Sequence, residues 1–185
     1  MNFSDENIIF GVTGHRDLCS GDIGFLKQRI KNIFKSFKEK YPHKKFILLS
    51  PLAEGADMLT AEVARELGIK LWVMLPFKEE CYIKSFEKKN SLQTYEKLKN
   101  HAFRFDVLNC SFMREGEKCY RLLGERITDI SDILIALWDG VESGKEGGTS
   151  QIVSYAKAAK KTLYTINTPR VSNKNIKFPY LVTVI

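Results

Sequence analysis

The chain has 185 residues, 44% of them hydrophobic and 28% charged, with 29 basic and 22 acidic residues and a net charge of +7. This composition excludes wholesale disorder, a collagen-like fibre and a disulfide miniprotein, and the length suits one domain, residues 1–185, with a core of its own. The longest apolar runs, Leu71–Phe77 and Ile133–Trp138, are far too short to span a bilayer, so no membrane association is expected.

In chain order, Ile8–Thr13 reads as a first strand ending at Gly14. Residues 21–40 form an amphipathic helix, with Leu26, Ile30, Ile33, Phe34 and Phe37 at steps of three and four, stopped by Pro42. Phe46–Ser50 is a second strand, Asp57–Leu67 a second helix closed by Gly68, and Leu71–Leu75 a third strand. The charged stretch from Tyr82 to Ala102 is expected to be mostly helical, in two pieces around Asn90-Ser91. A short strand over Phe105–Leu108, a helix over Glu117–Ile130 and a strongly apolar strand over Ile133–Trp138 follow. A helix over Gly148–Lys160, a strand over Leu163–Ile166 and an edge strand over Leu181–Ile185 complete the chain. The strands are continuous apolar runs, the mark of strands buried on both faces. The fold class is therefore α/β, a doubly wound, mostly parallel sheet with helices on both faces.

The excess positive charge is local. Residues 27–45 hold eight basic side chains against Glu39, leaving 21 of each sign elsewhere. This stripe reads as the solvated face of the first helix, with a docking patch for phosphates or an acidic partner as the sharper reading. The N-terminus, MNFSDENIIF, has acids where a secretion signal needs a basic region, which makes the cytoplasm the expected compartment. Cys19, Cys81, Cys110 and Cys119 form no C-x-x-C pair and no histidine stands at finger spacing, so reduced thiols, no disulfide and no metal site are expected. No motif asks for a cofactor.

Ligands of such sheets bind beyond the carboxyl ends of the strands, and three strand ends are unusual here. The first is Gly14-His15-Arg16, a glycine turn followed by a guanidinium suited to phosphate or carboxylate. Its glycines are not spaced as the dinucleotide fingerprint requires. The second is Ser50-Pro51-Leu52-Ala53-Glu54-Gly55-Ala56-Asp57, in which Glu54 is placed to meet a ribose and Asp57 to cap a helix. The third is Trp138-Asp139-Gly140, leading to Gly147-Gly148-Thr149 and Gln151, where backbone amides and a hydroxyl at a helix start can cradle a phosphate. Phe77 and Trp138 are the aromatics available for stacking on a base, with ordinary core packing as the other reading.

Together these segments resemble the SLOG superfamily, named for the Smf/DprA and LOG proteins, over about residues 8–166. In that family a glycine plus arginine follows the first strand, a small-A-x-G-x-D segment the second, and G-G-T opens a late helix. The resemblance implies a Rossmann-like fold, a homo-oligomer, and a site for a nucleotide or nucleotide-derived small molecule. In that reading Gly147, Gly148 and Thr149 hold a phosphate and Arg16 adds charge. Glu54 and Asp139 take ribose hydroxyls, and Gly14, Ser50 and Gly55 let the backbone come close. LOG enzymes, which cleave the base from a nucleoside monophosphate, and nucleoside deoxyribosyltransferases place a catalytic glutamate three residues after the threonine. Here that position is Ile152, which can neither attack a sugar nor support a cation. The expectation is a binding or sensing module with no identified catalytic residue, and an N-glycosidase or deoxyribosyltransferase as the alternative. DprA-like members bind single-stranded DNA and often carry arginine where Glu54 stands. A glutamate there would repel phosphate, so no nucleic-acid partner is expected.

Overall fold

The structure, a computed structural model, describes residues 6–174 and 176–185. Seven strands form one sheet in the order β4-β3-β2-β1-β5-β6-β7. They are β1 (Asn7–Gly14), β2 (Lys45–Ser50), β3 (Lys70–Leu75), β4 (Ala102–Val107), β5 (Ile133–Trp138), β6 (Thr162–Asn167) and β7 (Val182–Val184). The first six run parallel, and β7 closes the far edge antiparallel to β6. This is the doubly wound α/β sheet that the buried apolar runs predict, with Leu48, Leu49, Val73, Leu75, Ile135, Ala136 and Leu137 wholly excluded from solvent. The chain winds from β1 outward to β4, then returns to pair β5 against the other side of β1. The reversal opens a crevice at the carboxyl ends of β1 and β5.

One face of the sheet is covered by α1 (Ile23–Lys40), α2 (Ala56–Glu66) and α4 (Ser91–Lys99), and the other by α6 (Lys118–Ile130) and α7 (Thr149–Ala158). Helix α1 buries Leu26, Ile30, Ile33, Phe34 and Phe37, as its periodicity requires. Its basic face is partly neutralised along α2: Lys27 pairs with Glu62, Lys31 with Glu66, and Lys38 donates to the Leu67 carbonyl that ends α2. Where α6 crosses α7, Gly124 lets the backbone meet Ile152, since a Cβ there would lie 2.4 Å from the Ile152 side chain. No described helix is long and apolar enough to cross a membrane.

Two expectations need correction. The stretch after β3 is helical in two pieces, the second starting at Ser91 as expected, but the first is short and ends early. A one-turn helix α3 (Glu79–Tyr82) and a 3-10 turn over Ile83–Ser85 give way to irregular chain at 86–90 before α4 begins. Local charge spacing suggested a helix, but contacts to residues far away in sequence fix this segment as a strap. The cysteines also depart from expectation: Cys110 and Cys119 form a disulfide, with Cα atoms 5.7 Å apart. They flank the short helix α5 (Phe112–Glu115), whose turn folds one back on the other, a proximity that their nine-residue spacing does not announce. The Glu115 carboxylate lies beside them, all three donor atoms within 4.8 Å of one another, but sulfurs bonded together offer no thiolate to a metal.

Candidate functional site

The loops after β1, β2 and β5 meet at the crevice. Gly14 is there for packing: a Cβ would lie 2.4 Å from Ala56 and 2.9 Å from the Leu137 carbonyl, so the start of α2 can press against the ends of β1 and β5. The next turn is pinned on both sides, with the His15 N–H donating to Leu137 and the Ala56 N–H to the His15 carbonyl. Gly55 caps α2 at φ +79°, and a Cβ there would stand 2.4 Å from the His15 carbonyl oxygen. The close approach expected of these glycines is thus between two loops of the protein. The Ser50 hydroxyl is likewise used internally, accepting from the Leu52 N–H.

His15 and Asp139 are brought together. The Asp139 N–H donates to His15 Nε2 at 3.1 Å, and the Asp139 carboxylate lies 3.0 Å from the same nitrogen. Burial, with the Arg170 charge, holds the His15 imidazole below its usual pKa despite Asp139. Burial pushes the Asp139 carboxyl up. The Val141 N–H, the Asn173 amide and His15 outweigh it, and the net pKa lies below the ordinary value. Asp17 is taken by Arg170 and Ser172, which tie the segment after β6 across this corner. Beside Asp139 a cavity of about 380 Å³ opens, lined among others by Trp138, Gly140, Asn167 and Asn173. Trp138 turns its indole N–H to the Val141 carbonyl, and Lys157 stands 5.7 Å from the ring.

Arg16, Asp57 and Tyr120 form the second group. The Arg16 guanidinium is 6.0 Å from the Tyr120 ring and donates to the Ser85 carbonyl at 3.2 Å. Beneath it Asp57, 5% exposed, accepts through Oδ2 from the Ala53 N–H at 3.3 Å, while Oδ1 has no hydrogen-bond partner among the described residues. Burial pushes its carboxyl up to about 7, against the pull of the Arg16 charge. A fully buried oxygen left unsatisfied costs stability, which marks this position for something other than packing.

The third group is the start of α7. Gly147 sits at φ +69° with its would-be Cβ 2.7 Å from Tyr120, so Tyr120 links this loop to Arg16. The Gly147 N–H donates to the Gln151 side chain and the Gly148 N–H to the Lys145 carbonyl. The Thr149 and Ser150 N–H groups donate to nothing among the described residues, which leaves the positive end of the helix dipole open. Tyr120 was missed in the sequence because it falls on the periodic face of α6 and reads as core.

Two predicted residues serve elsewhere. Glu54, 3% exposed, faces the strap and not the crevice. Its carboxylate accepts from the Glu87 N–H at 3.0 Å, the Lys88 N–H at 2.8 Å and the Ser91 hydroxyl, and Lys88 Nζ reaches back to the Arg16 carbonyl. Burial raises its carboxyl, but these donors outweigh that and hold it below the usual value. With its oxygens spent on the strap, Glu54 is no ribose ligand. Phe77 is 5% exposed inside a cluster of Tyr82, Phe112 and Tyr120, and offers no free face to a base. Glu54→Gln should loosen the strap. Charge-assisted hydrogen bonds at ~1.5–3 kcal/mol each predict roughly 10–100-fold faster hydrogen exchange at the Glu87 and Lys88 amides. Unchanged exchange there would remove Glu54 from this role.

No family model matches the chain, and no curated protein matches it. Solved structures do. DNA processing protein A (DprA) from Streptococcus pneumoniae superposes with a TM-score of 0.53 at 13% identity over 86% of this chain. This chain spans half the length of that DprA chain. DprA from Helicobacter pylori, whose structure concerns its single-stranded DNA binding mode, gives 0.56 at 14% identity over 91% of this chain and 69% of its own. The protein TM1055 gives 0.50 at 12% identity over 84% of this chain and 72% of its own. The fold is thus the Rossmann-like one that the two DprA structures share, as the sequence led one to expect.

Proposed function

We propose that the crevice binds a nucleotide-derived small molecule, its phosphate on the open amides of Thr149 and Ser150 and on Arg16. The observation that carries this reading is Asp57 Oδ1, a buried acceptor without a partner among the described residues, within reach of the Arg16 charge. Asp57 accepts from a donor on the ligand, and the neighbouring cavity beside Asp139 takes the ribose. A Cβ at Gly148 would lie 3.0 Å from the Lys145 carbonyl, so glycine lets the preceding loop close tightly on the helix start. The Smf/DprA–LOG fold is a nucleotide-related one, which supports the class of ligand and not its identity.

The alternative, an N-glycosidase or deoxyribosyltransferase, needs a carboxylate near the threonine of the helix start. Ile152 is 2% exposed and packs on Gly124 and the α7 side of the sheet, away from the crevice. The nearest carboxylates have other partners: Asp139 is held by Val141, Asn173 and His15, and Glu146 by Arg121.

A thermal-shift panel of nucleoside phosphates, ADP-ribose, NAD, cyclic nucleotides and a short single-stranded oligonucleotide tests the reading. A ligand at 100 times its Kd adds about 2.7 kcal/mol, roughly 5–10 °C for this size. Gly148 has φ −74°, so Gly148→Leu is expected to fold and to abolish the shift. A shift that survives in Gly148→Leu would remove the phosphate from the helix start. A response confined to the oligonucleotide would replace the small molecule with DNA.

A further inference from the structure

The ligand reading makes no use of Cys110 and Cys119, and the chain around them is arranged for more than a cross-link. Cys119 is the second residue of α6 and is wholly buried, while Cys110 is half-buried in the irregular chain between β4 and α5. The loop between them closes on itself through the backbone. The Arg114 and Glu115 N–H groups donate to the Ser111 carbonyl, the Gly116 N–H to Phe112 and the Cys119 N–H to Gly116, with Gly116 turning the chain at φ +56°. None of these bonds depends on the S–S bond, so the loop holds the two sulfurs near each other when that bond is open. The same turn brings in Glu115, whose donor oxygen and the two sulfurs all lie within 4.8 Å of one another.

Reduced, this cluster is a donor set for zinc. Two thiolates and a carboxylate match the ligands zinc takes, and sulfur at ~2.3 Å with oxygen at ~2.0–2.2 Å sets the ligand atoms of a tetrahedral ion ~3.5–3.8 Å apart. With the Cα atoms 5.7 Å apart, side-chain rotation at Cys110, the partner outside a helix, supplies that opening. The neighbours complete the site. The Ser111 N–H donates to Glu115 Oε1 at 3.4 Å, and Lys118 Nζ stands 3.8 Å from Oε2. Outer partners of this kind orient a metal ligand. The three negative charges of the ligands are balanced by two on zinc and one on Lys118. The first turn of α6 favours negative charge on Cys119. The Glu115 side chain is 34% exposed, which leaves the fourth position of the ion to water.

We propose that Cys110 and Cys119 are a reversible redox couple whose reduced form, together with Glu115, binds one zinc ion. Two thiols, or one dithiol, break the S–S bond, giving it two electrons and two protons and becoming a disulfide themselves. Zinc then bonds both sulfurs and a Glu115 oxygen, and the two thiol protons pass to water. In the oxidised form the sulfurs carry no charge and offer the ion nothing. The inference is independent of what the crevice binds.

The test uses the full chain with the two free cysteines, Cys19 and Cys81, replaced by serine so that no other thiol competes. Zinc titrated against a chromophoric chelator should fill one site per chain after reduction with a phosphine, and none in the oxidised chain. Cobalt added in place of zinc should show the sulfur-to-metal charge-transfer band of a tetrahedral thiolate site. Cys110→Ser, in irregular chain, should stay folded by circular dichroism, lose that band and bind zinc at least ~100-fold more weakly, since removing a group that only supports a ligand already costs ~10–100-fold. Glu115→Gln should bind at least ~10-fold more weakly while its disulfide still forms on oxidation. Glu117→Gln, an exposed neighbouring acid, should bind as the parent does. No zinc on the reduced chain, equal binding by the oxidised chain, or unchanged affinity in Cys110→Ser or in Glu115→Gln would overturn the proposal.

Discussion

Asp57→Asn is expected to raise the melting temperature by about 10 °C at pH 8. The Asp57 carboxyl is pushed by burial from 3.8 up to about 7 in the folded protein. A group whose folded pKa exceeds its unfolded value favours folding while protonated. The stability it provides is present below about pH 4 and is lost as pH rises toward 7. Above that range the buried charge costs about 4 kcal/mol, at 1.36 kcal/mol per pKa unit, and a domain of this length gains roughly 2–4 °C per kcal/mol recovered. Asparagine keeps an oxygen for the Ala53 N–H and has no charge to bury. The difference between variant and wild type should vanish near pH 4. Glu54, Asp17 and Asp139 are held below their ordinary values and act with the opposite sign, losing their contribution as pH falls, but they cancel in the difference. Equal melting temperatures at pH 8 would show that Asp57 is not buried as a charge. If the crevice binds the proposed ligand through Asp57, the stabilised variant should also bind it at least ~10-fold more weakly, the cost of one buried polar contact.

Gly55→Ala should destabilise by about 3–5 kcal/mol, combining a side chain at an unfavourable positive φ with overpacking against backbone. Glycine and alanine usually differ little at a helix cap, but here the new methyl would meet the His15 and Arg16 carbonyl oxygens at 2.4 and 2.5 Å. The first cannot move without breaking the Ala56 N–H bond to His15, and the second accepts from Lys88 Nζ. The expected fall in melting temperature is roughly 10–15 °C for a domain of this size. Gly24, exposed in the first turn of α1 with nothing within 4 Å of its would-be Cβ, is the control. Gly24→Ala should be neutral or stabilise by up to ~1 kcal/mol, as helix propensity requires. Equal effects at the two positions would mean that the loops after β1 and β2 do not touch as described.

The sheet was legible because its strands are apolar on both faces and each ends in a turn rich in glycine or small residues. Ile133–Trp138 has the same bounds in sequence and structure. The glycines were found, but for Gly14 and Gly55 the close approach turned out to be to the protein's own backbone. Position alone cannot tell a ligand from a neighbouring loop. Glu54 shows the same limit from the side of charge. An acid after a strand suits a ribose, yet its partners are amides 33 and 34 residues later, in a segment whose local pattern suggested helix. Tyr120 was hidden in the opposite way, since its helical spacing marks it as core while its ring faces Arg16 and its Cβ lies against the Gly147 loop.

The placing of β1 has a consequence for how the chain reaches its fold. Its partner on one side, β2, is the next strand, but its partner on the other side arrives late, with Ile9 bonding to Asp132 across 123 residues. Until β5 has been synthesised, β1 is the exposed margin of a four-stranded half-sheet whose core with α1 and α2 can already form. The slow step is then the docking of β5, which closes the longest loop between paired strands of the sheet and carries the largest entropy cost of strand pairing. Gly11 guards that step: a Cβ there would lie 2.4 Å from Ser131, the residue two before β5, so only glycine leaves the late strand room to seat.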